Sequence, residues 1–191
     1  MPGPTFVECD RIDLRVPEEA DRPFLTEGVN HPKVRRYITH FRRPHTEERY
    51  REERWPHDTN EDGVTLLPVP REGEFADEPV GSVQLAPVDE SRGWANLGLW
   101  FHPDAWGRGY ALDACAHLLD YGFRELSLHR ISATVMAPNE GSRTLCERLG
   151  FTHEGTVREA HVFDGERVDD ESYGLLTREW EGPGAVLDGE R

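Results

Sequence analysis

A glycine-containing turn between a predicted strand and a predicted helix constrains this chain most. Residues 106–111 have the sequence Trp-Gly-Arg-Gly-Tyr-Ala, follow the apolar run 97–101 and open a segment with helical periodicity, 110–126. Two glycines one residue apart allow a tight turn that gathers backbone N–H groups, and the following helix adds its positive end. The pattern indicates a phosphate-binding turn, and a pyrophosphate ligand is the first inference.

Such a turn also occurs as a plain strand-to-helix connection, and it occurs in two nucleotide-binding motifs. A dinucleotide-binding fingerprint needs a third small residue at position 112, which is Leu112 here. A P-loop closes with Gly-Lys-Ser or Gly-Lys-Thr, whereas the only lysine of the chain is Lys33. The sequence therefore matches neither motif.

The chain resembles the GNAT N-acetyltransferase superfamily, and within it the ribosomal-protein N-acetyltransferase (RimJ/RimL-like) branch. The family motif Gln/Arg-x-x-Gly-x-Gly/Ala falls on residues 106–111, with Trp106 in the first place. The resemblance covers roughly residues 5–180 and is most specific over 93–175. Its further matches are Leu97 to Pro103, Ala111-Leu112-Asp113-Ala114, Asn139, Ser142, Leu149-Gly150-Phe151, Glu154-Gly155, Arg158-Glu159, Asp164-Gly165, Asp169 and Tyr173.

The resemblance implies one α/β (α+β) domain with the GNAT fold over residues 1–180. Its central sheet has six to seven strands and is mixed but mostly antiparallel. The sheet is splayed between strands 4 and 5, and helices flank it. A chain of 191 residues with 36% hydrophobic residues can bury one such core. Residues 181–191 form an acidic tail containing Gly and Pro, which we expect to be disordered.

Periodicity and turn residues predict the order of the elements along the chain. A first strand is expected over residues 6–16, followed by charged helices over 18–60 that prolines interrupt. The remaining predictions are strands at 63–68, 78–87 and 94–102, a helix at 110–126, a strand at 131–136, a helix at 142–149 and a hairpin turn at Asp164-Gly165.

Acidic residues outnumber basic residues by 37 to 22, which gives a formal net charge of −15. A surface this acidic repels nucleic acid and anionic membranes, so we expect contact with neither. It also favours a halophilic source, in which high salt screens the self-repulsion. The absence of an export signal and of a long apolar run predicts a cytoplasmic protein. Cys9, Cys115 and Cys146 lie among apolar neighbours and are expected to be reduced core thiols.

The resemblance implies acetyl-CoA as co-substrate and no metal, and the nine histidines show no ligand spacing. Backbone N–H groups of the turn would bind the pyrophosphate, and Arg108 would add a positive charge beside it. Backbone groups at the splay would bind the pantetheine arm and the thioester oxygen. The residues assigned to the cofactor are Leu99, Trp100, Phe101, Trp106, Gly107, Arg108, Gly109, Tyr110, Ala111 and Asn139.

Asn139 and Ser142 each have two interpretations. The amide of Asn139 either contacts the cofactor or caps the helix that begins near Ser142. In the branch, the position of Ser142 lies near the leaving sulfur, so its hydroxyl could protonate the thiolate; alternatively it satisfies local backbone groups. No tyrosine lies nearby in the sequence for the acid role usual in other GNAT branches, which makes Ser142 the better candidate.

The general base is predicted on the strand after Glu154-Gly155. A carboxylate on this strand has that role in the branch, and His161 occupies the matching position, two residues after Glu159. Histidine can accept a proton near neutral pH, and residues 159 and 161 would share one face of a regular strand. The alternative is a solvated histidine on an exposed strand.

The resemblance implies an N-acetyltransferase that acts on a primary amine, with the N-terminal α-amine of a (ribosomal) protein as the branch's typical acceptor. A small-molecule amine is the alternative, as is a CoA-binding regulator without catalysis. In the superfamily the acceptor is set by the segments that correspond to residues 18–60 and 155–175. Acidic residues there, such as Glu48, Glu52 or Glu159, could attract a cationic acceptor. The resemblance also implies a homodimer. Candidate wall residues are His40, Phe41, Tyr50 and Trp55.

Overall fold

Eight strands form one sheet in the order β1-β2-β3-β4-β5-β6-β8-β7. The structure, a computed structural model, describes residues 2–55 and 63–188. All neighbouring strands are antiparallel except β5 and β6, which are parallel. The strands are β1 (Thr5–Glu8), β2 (Ile12–Arg15), β3 (Val64–Pro70), β4 (Gly81–Asp89), β5 (Trp94–Phe101), β6 (Arg130–Met136), β7 (Thr152–Phe163) and β8 (Glu166–Leu176).

Six α-helices and four 3-10 helices connect the strands within the described residues. The α-helices are α1 (Arg22–Asn30), α2 (Pro32–Arg35), α3 (Glu47–Glu53), α4 (Tyr110–Arg124), α5 (Glu140–Arg148) and α6 (Pro183–Leu187). The 3-10 helices are Glu19–Asp21, Thr39–Phe41, Pro103–Ala105 and Thr177–Glu179. Among these residues, no helix is long and apolar enough to cross a membrane. The predicted α/β fold is confirmed, and apart from the first strand the described elements follow the predicted order. The end of the predicted helical segment, residues 56–60, lies outside the described residues.

The first predicted strand is in fact two strands, which brings the sheet to eight instead of six to seven. The chain turns at residues 9–11, so that β1 and β2 pair antiparallel with Thr5 opposite Arg15. The turn is held because the carboxylate of Asp113 accepts hydrogen bonds from the backbone N–H groups of Asp10, at 3.2 Å, and Arg11, at 2.8 Å. The polar/apolar alternation along residues 6–16 could not predict this turn, because the carboxylate that stabilises it lies on α4.

Helices cover both faces of the sheet. The larger core cluster packs α4 against one face, where Ala114, Cys115 and Leu118 are fully buried. A second cluster packs α1 to α3 against the other face through Leu67 and Trp100. Apolar side chains therefore pack against helices on both faces of the sheet.

Strands β5 and β6 separate partway along their length. They pair only from Trp94 opposite Arg130 to Asn96 opposite Ser132. From Leu97 onward β5 remains paired with β4 on its other side but has no registered partner in β6. This is the predicted splay, and it leaves a gap in the middle of the sheet.

The predicted disorder of the C-terminal tail is wrong for the part that the structure describes. Residues Pro183–Leu187 form α6, and Val186 and Leu187 pack against the main core. Just before this helix, Trp180 donates from Nε1 to Asp120 Oδ1 at 3.0 Å and packs near Phe123. Burial of these apolar side chains stabilises the segment, which the overall polar and Gly/Pro-containing composition of the tail did not indicate.

Candidate active site

The glycine turn lines a cavity of about 530 Å³, here called the loop cavity. Gly107 and Gly109 have φ angles of +73° and +80°, which residues other than glycine rarely adopt. Gly109 is also the N-cap residue of α4, and no side chain caps this helix end. Within the described residues, no protein acceptor is found for the N–H groups of residues 107–111. Unpaired N–H groups at a helix N-terminus fit an anionic ligand such as pyrophosphate.

Arg108 does not take the predicted position in this cavity. Its guanidinium donates to Glu74 Oε2 at 2.7 Å and lies over the ring of Phe75, 4.8 Å from the centroid. These partners come from the β3–β4 connection, far away in sequence, and hold the side chain off the loop cavity. The cationic side chains that line the loop cavity are instead Lys33 and Arg148.

The splay opens into a second cavity of about 320 Å³, here called the inner cavity. Its walls come from β5, β6 and the segments around α2 and α3. The two cavities meet at one place, because some residues line both. These shared residues are Tyr37, Ile38, Leu99, Trp100, Asn139, Ser142 and Leu145.

Leu99, Trp100 and Phe101 lie at the free edge of β5, as predicted. Leu99 and Trp100 reach both cavities, whereas Phe101 reaches only the loop cavity. The backbone carbonyl of Phe101 already accepts a hydrogen bond from Trp106 Nε1 at 2.8 Å. Leu99 and Trp100 are therefore the positions at which backbone groups are best placed to meet a ligand that spans both cavities.

Asn139 caps α5 and also faces both cavities. Its Oδ1 accepts the backbone N–H of Ser142 at 3.3 Å, which is the capping interaction of an N-cap residue. The two interpretations of Asn139 are therefore compatible, since capping uses the oxygen and leaves the amide nitrogen. Ser142 stands in the first turn of α5 at the junction of the cavities.

His161 forms a pair with a carboxylate on the wall of the inner cavity. Its Nε2 lies 2.7 Å from Asp170 Oδ2, and both side chains line this cavity. Their exposed fractions are 26% and 13%, so the pair is mostly removed from solvent. With an ionised Asp170 accepting from Nε2–H, the Nδ1 atom of His161 is left as a proton acceptor.

Glu159 does not share this wall, contrary to the expectation for a regular strand. The pairing of β7 with β8 shifts register between Val157 and His161, and Glu159 has a φ of +53°. Its backbone N–H donates to Asp169 Oδ1 at 2.7 Å, and its side chain is exposed. The bulge breaks the two-residue alternation, so Glu159 points away while Asp170 on β8 takes the place beside His161.

The structure also brings Tyr37 to the junction of the two cavities. Tyr37 follows α2, and its ring stacks on that of Phe163 with centroids 5.3 Å apart. Its hydroxyl is a second candidate proton donor beside Ser142. No sequence pattern indicated this role, because Tyr37 and Ser142 are distant along the chain and reach the same junction only in the folded protein.

Most of the expected acceptor-wall residues lie where they were predicted. His40, Phe41 and Tyr50 line the inner cavity, whereas Trp55 packs against the second core cluster. Glu48 and Glu52, considered as attractants for a cation, line neither cavity. Arg54 lines the inner cavity and was not singled out from the sequence.

A cluster of polar groups lies at the base of α4, outside both cavities. Cys9, Asp113 and His117 bring a thiol, a carboxylate and an imidazole within 4.8 Å of one another. Both carboxylate oxygens of Asp113 already accept protein N–H groups, and burial raises the pKa of the Cys9 thiol. The hydrogen bonds fasten the β1–β2 turn to the helix that carries the glycine loop.

Sequence comparison identifies the protein family. A family model of the acetyltransferase (GNAT) domain matches residues 11–152. The chain belongs to this GNAT acetyltransferase family and is an acetyl-CoA-dependent N-acetyltransferase.

Two relatives and one solved structure show how far the similarity extends. The proposed ribosomal N-acetyltransferase YdaF of Bacillus subtilis is 30% identical over 175 residues, covering 91% of this chain and 95% of YdaF. The phosphinothricin N-acetyltransferase of Streptomyces coelicolor is 33% identical over 162 residues, covering 83% of this chain and 90% of that protein. The spermidine N-acetyltransferase of Vibrio cholerae, solved with CoA and spermine, has the same fold, with a TM-score of 0.78 at 23% identity over 89% of this chain and 98% of that one.

Proposed function

We propose that acetyl-CoA binds in the loop cavity and reaches through the splay, and that a primary amine binds in the inner cavity. The observation that carries this proposal is the junction of the two cavities at Leu99, Trp100, Asn139 and Ser142. When bound there, acetyl-CoA supplies the acetyl group as a thioester. The N–H groups of residues 107–111 fit its pyrophosphate, and Lys33, which lines the same cavity, supplies positive charge.

His161 accepts the proton that the amine loses during acetyl transfer. An amine attacks a carbonyl only through its free electron pair, so one proton must leave the ammonium form. Nδ1 of His161 accepts this proton, while Asp170 orients the ring and stabilises the imidazolium. The pair lines the cavity assigned to the amine, which supports this role over a solvated histidine.

Ser142 donates a proton to the leaving thiolate in this proposal, and Tyr37 is the alternative donor. Both residues line both cavities, which is where the carbon–sulfur bond breaks. Ser142→Ala and Tyr37→Phe each remove one hydroxyl with little change in shape. The variant that lowers turnover without raising the KM for acetyl-CoA identifies the donor.

The N-terminal α-amine of a protein, such as a ribosomal protein, is the acceptor suggested by the similarity to YdaF. A small-molecule amine is the second candidate, supported by the relative that acts on phosphinothricin and by the modest volume of the inner cavity, about 320 Å³. The two candidates require the same chemistry at His161 and Ser142. They differ in whether the rest of the acceptor lies inside the cavity or outside it.

The proposal is tested by calorimetric titration of acetyl-CoA and CoA into the wild type and Gly109→Asp, followed by thiol release with a panel of amines and N-terminal peptides. A carboxylate at position 109 would lie among the N–H groups that face the pyrophosphate. We expect micromolar binding that this variant loses, together with amine-dependent thiol release by the wild type. Equal binding by both proteins would contradict the cofactor site, and binding without release by any amine would favour the non-catalytic regulator.

A further inference from the structure

Arg54 is a cationic side chain of the inner cavity that the proposed chemistry does not use. It follows α3, where its backbone N–H donates to the carbonyl of Tyr50 at 2.9 Å. Its guanidinium lies over the ring of Phe41, 5.3 Å from the centroid. Both Tyr50 and Phe41 are buried, so the base of the Arg54 side chain is fixed by rigid neighbours.

The guanidinium of Arg54 lacks a carboxylate partner in the part of the chain that the structure describes. Its Nε is shielded from solvent and has no hydrogen-bond partner there, and none of the described carboxylates forms an ion pair with the guanidinium. By contrast, Arg36, Arg71 and Arg130 each pair with a carboxylate. An N–H donor shielded from water without an acceptor loses hydration that nothing on the protein side replaces.

The described neighbours of Arg54 neither add a second positive charge to the inner cavity nor neutralise the charge of Arg54. Desolvation of the His40 ring and the charge of Arg54 lower the pKa of His40 to about 4, so His40 is neutral at pH 7. Asp170, the one acidic side chain among the described residues of the lining, is already paired with His161. The described lining therefore offers one unpaired cation and no unpaired anion.

We infer that the acceptor carries an anionic group in addition to its primary amine, and that Arg54 binds that group. This inference rests on the proposed function, because it assumes that the amine lies beside His161. A carboxylate accepts two hydrogen bonds from a guanidinium and would replace the hydration that Arg54 has lost. A polyamine, which carries several cations, would find an arginine and no free carboxylate in the same space.

The anionic group can belong to a free amino acid or to an acidic residue at a peptide N-terminus. We therefore compare three sets of acceptors in the thiol-release assay at saturating acetyl-CoA. Each L-amino acid is paired with its own carboxamide, peptides beginning with Asp are paired with peptides beginning with Asn, and spermidine represents the polyamines. Within each pair only the anionic group changes.

The variants are Arg54→Gln, which removes the charge, and Arg54→Lys, which keeps it without the bidentate geometry. Arg92→Gln is the matched control, because Arg92 is an exposed arginine paired with Asp89 on the β4–β5 turn. We expect the wild type and the control to favour the anionic member of one set by about 10- to 100-fold in kcat/KM. In Arg54→Gln we expect that ratio to fall to near one, because the KM for the anionic acceptor rises, while the KM for acetyl-CoA is unchanged. In Arg54→Lys the ratio is expected to be intermediate.

An unchanged ratio in Arg54→Gln, or a wild-type preference for carboxamides or spermidine, overturns the inference. If the wild type turns over no amine, the proposed function fails, and the subsite is then tested by binding alone. Calorimetry of N-acetyl amino acids and their amides with the CoA-saturated protein decides this case. Carboxylate binding that Arg54→Gln loses supports the subsite, and equal binding of acid and amide overturns it.

Discussion

Nε2 of His161 lies 2.7 Å from Oδ2 of Asp170, with both side chains on the wall of the inner cavity. If His161 is the base, His161→Gln lowers kcat about 100-fold or more and leaves the calorimetric affinity for acetyl-CoA unchanged. Asp170→Asn has a smaller effect, because the imidazole remains but loses its orienting charge.

The same hairpin provides a matched control for this prediction. His153 pairs with Glu171 at 2.6 Å, yet neither residue lines the inner cavity. His153→Gln is expected to retain wild-type kcat. A similar loss in both histidine variants would show that the hairpin needs the pairs for its structure, and the assignment of His161 as base would be wrong.

Gly109→Ala is expected to weaken acetyl-CoA binding about tenfold or more. The added Cβ would be strained at a φ of +80° and would lie 2.9 Å from Nη1 of Arg11. Gly165→Ala at the hairpin turn carries the same kind of strain, with a φ of +89° and open space around the Cβ. We expect both variants to lose about 1 kcal/mol of stability, but only Gly109→Ala to bind acetyl-CoA more weakly in calorimetry.

Gly28→Ala tests the packing that positions Trp100 between the two cavities. Alanine normally stabilises a helix relative to glycine, but a Cβ at this position of α1 would overlap the ring of Trp100. We therefore expect a loss of about 1–3 kcal/mol in chemical denaturation, together with reduced turnover. Gly141→Ala in α5, where the nearest atom to the Cβ is 4.0 Å away, should instead be neutral or stabilising. Stabilisation by both alanines would contradict the close contact with Trp100.

The pair of Asp113 and His117 makes stability dependent on pH. Burial lowers the pKa of His117, but hydrogen bonds to Asp113 outweigh it and raise the pKa above 6.5. A histidine whose pKa is raised by folding stabilises the folded protein fully when the pH is below its pKa in the unfolded chain. This stabilisation is lost as the pH rises through its pKa in the folded protein. For Asp113, hydrogen bonds from His117 and the backbone outweigh desolvation and lower the pKa below 3.8, so its contribution is lost only in strong acid.

The corresponding measurement is the urea midpoint of the wild type and of His117→Gln between pH 5 and pH 9. We expect the wild type to be the more stable at pH 5 to 6, with the difference shrinking as pH rises above about 6.5. A difference that does not depend on pH would assign the effect of His117 to packing alone.

The net charge of −15 predicts that stability rises with salt. Self-repulsion among acidic residues is screened at short range in molar KCl, where the Debye length is about 3 Å. The thermal midpoint in dilute buffer should therefore lie below that in molar KCl, and full stability in dilute buffer would contradict a halophilic adaptation. Molar sorbitol is a suitable control for the general effect of co-solutes.

The cofactor half of the site could be predicted from the sequence because it consists of consecutive backbone groups. Gly107 and Gly109 determine the turn by their own conformational freedom, and the splay begins where the apolar run of β5 suggested. The exception is Arg108, whose side chain is long enough to pair with Glu74 on a distant connection.

The acceptor half could not be predicted in the same way, because distant segments supply its side chains. His161 was identified from the family pattern, but a bulge of one strand turned Glu159 outward and left Asp170 beside the histidine. Tyr37 and Arg54 entered the site only when the helices packed on the sheet.

The sequence by itself therefore determined the fold family, the order of the elements and the glycine turn before α4, since each follows from local periodicity, glycine conformation and a linear motif. The tertiary structure decided which side chains meet across the splay, that the first strand folds back as a hairpin, and that the tail begins with a packed helix. These features depend on contacts between residues far apart in the chain. The direction of a side chain at such contacts is set by bulges, register and neighbouring charges, which a linear pattern does not contain.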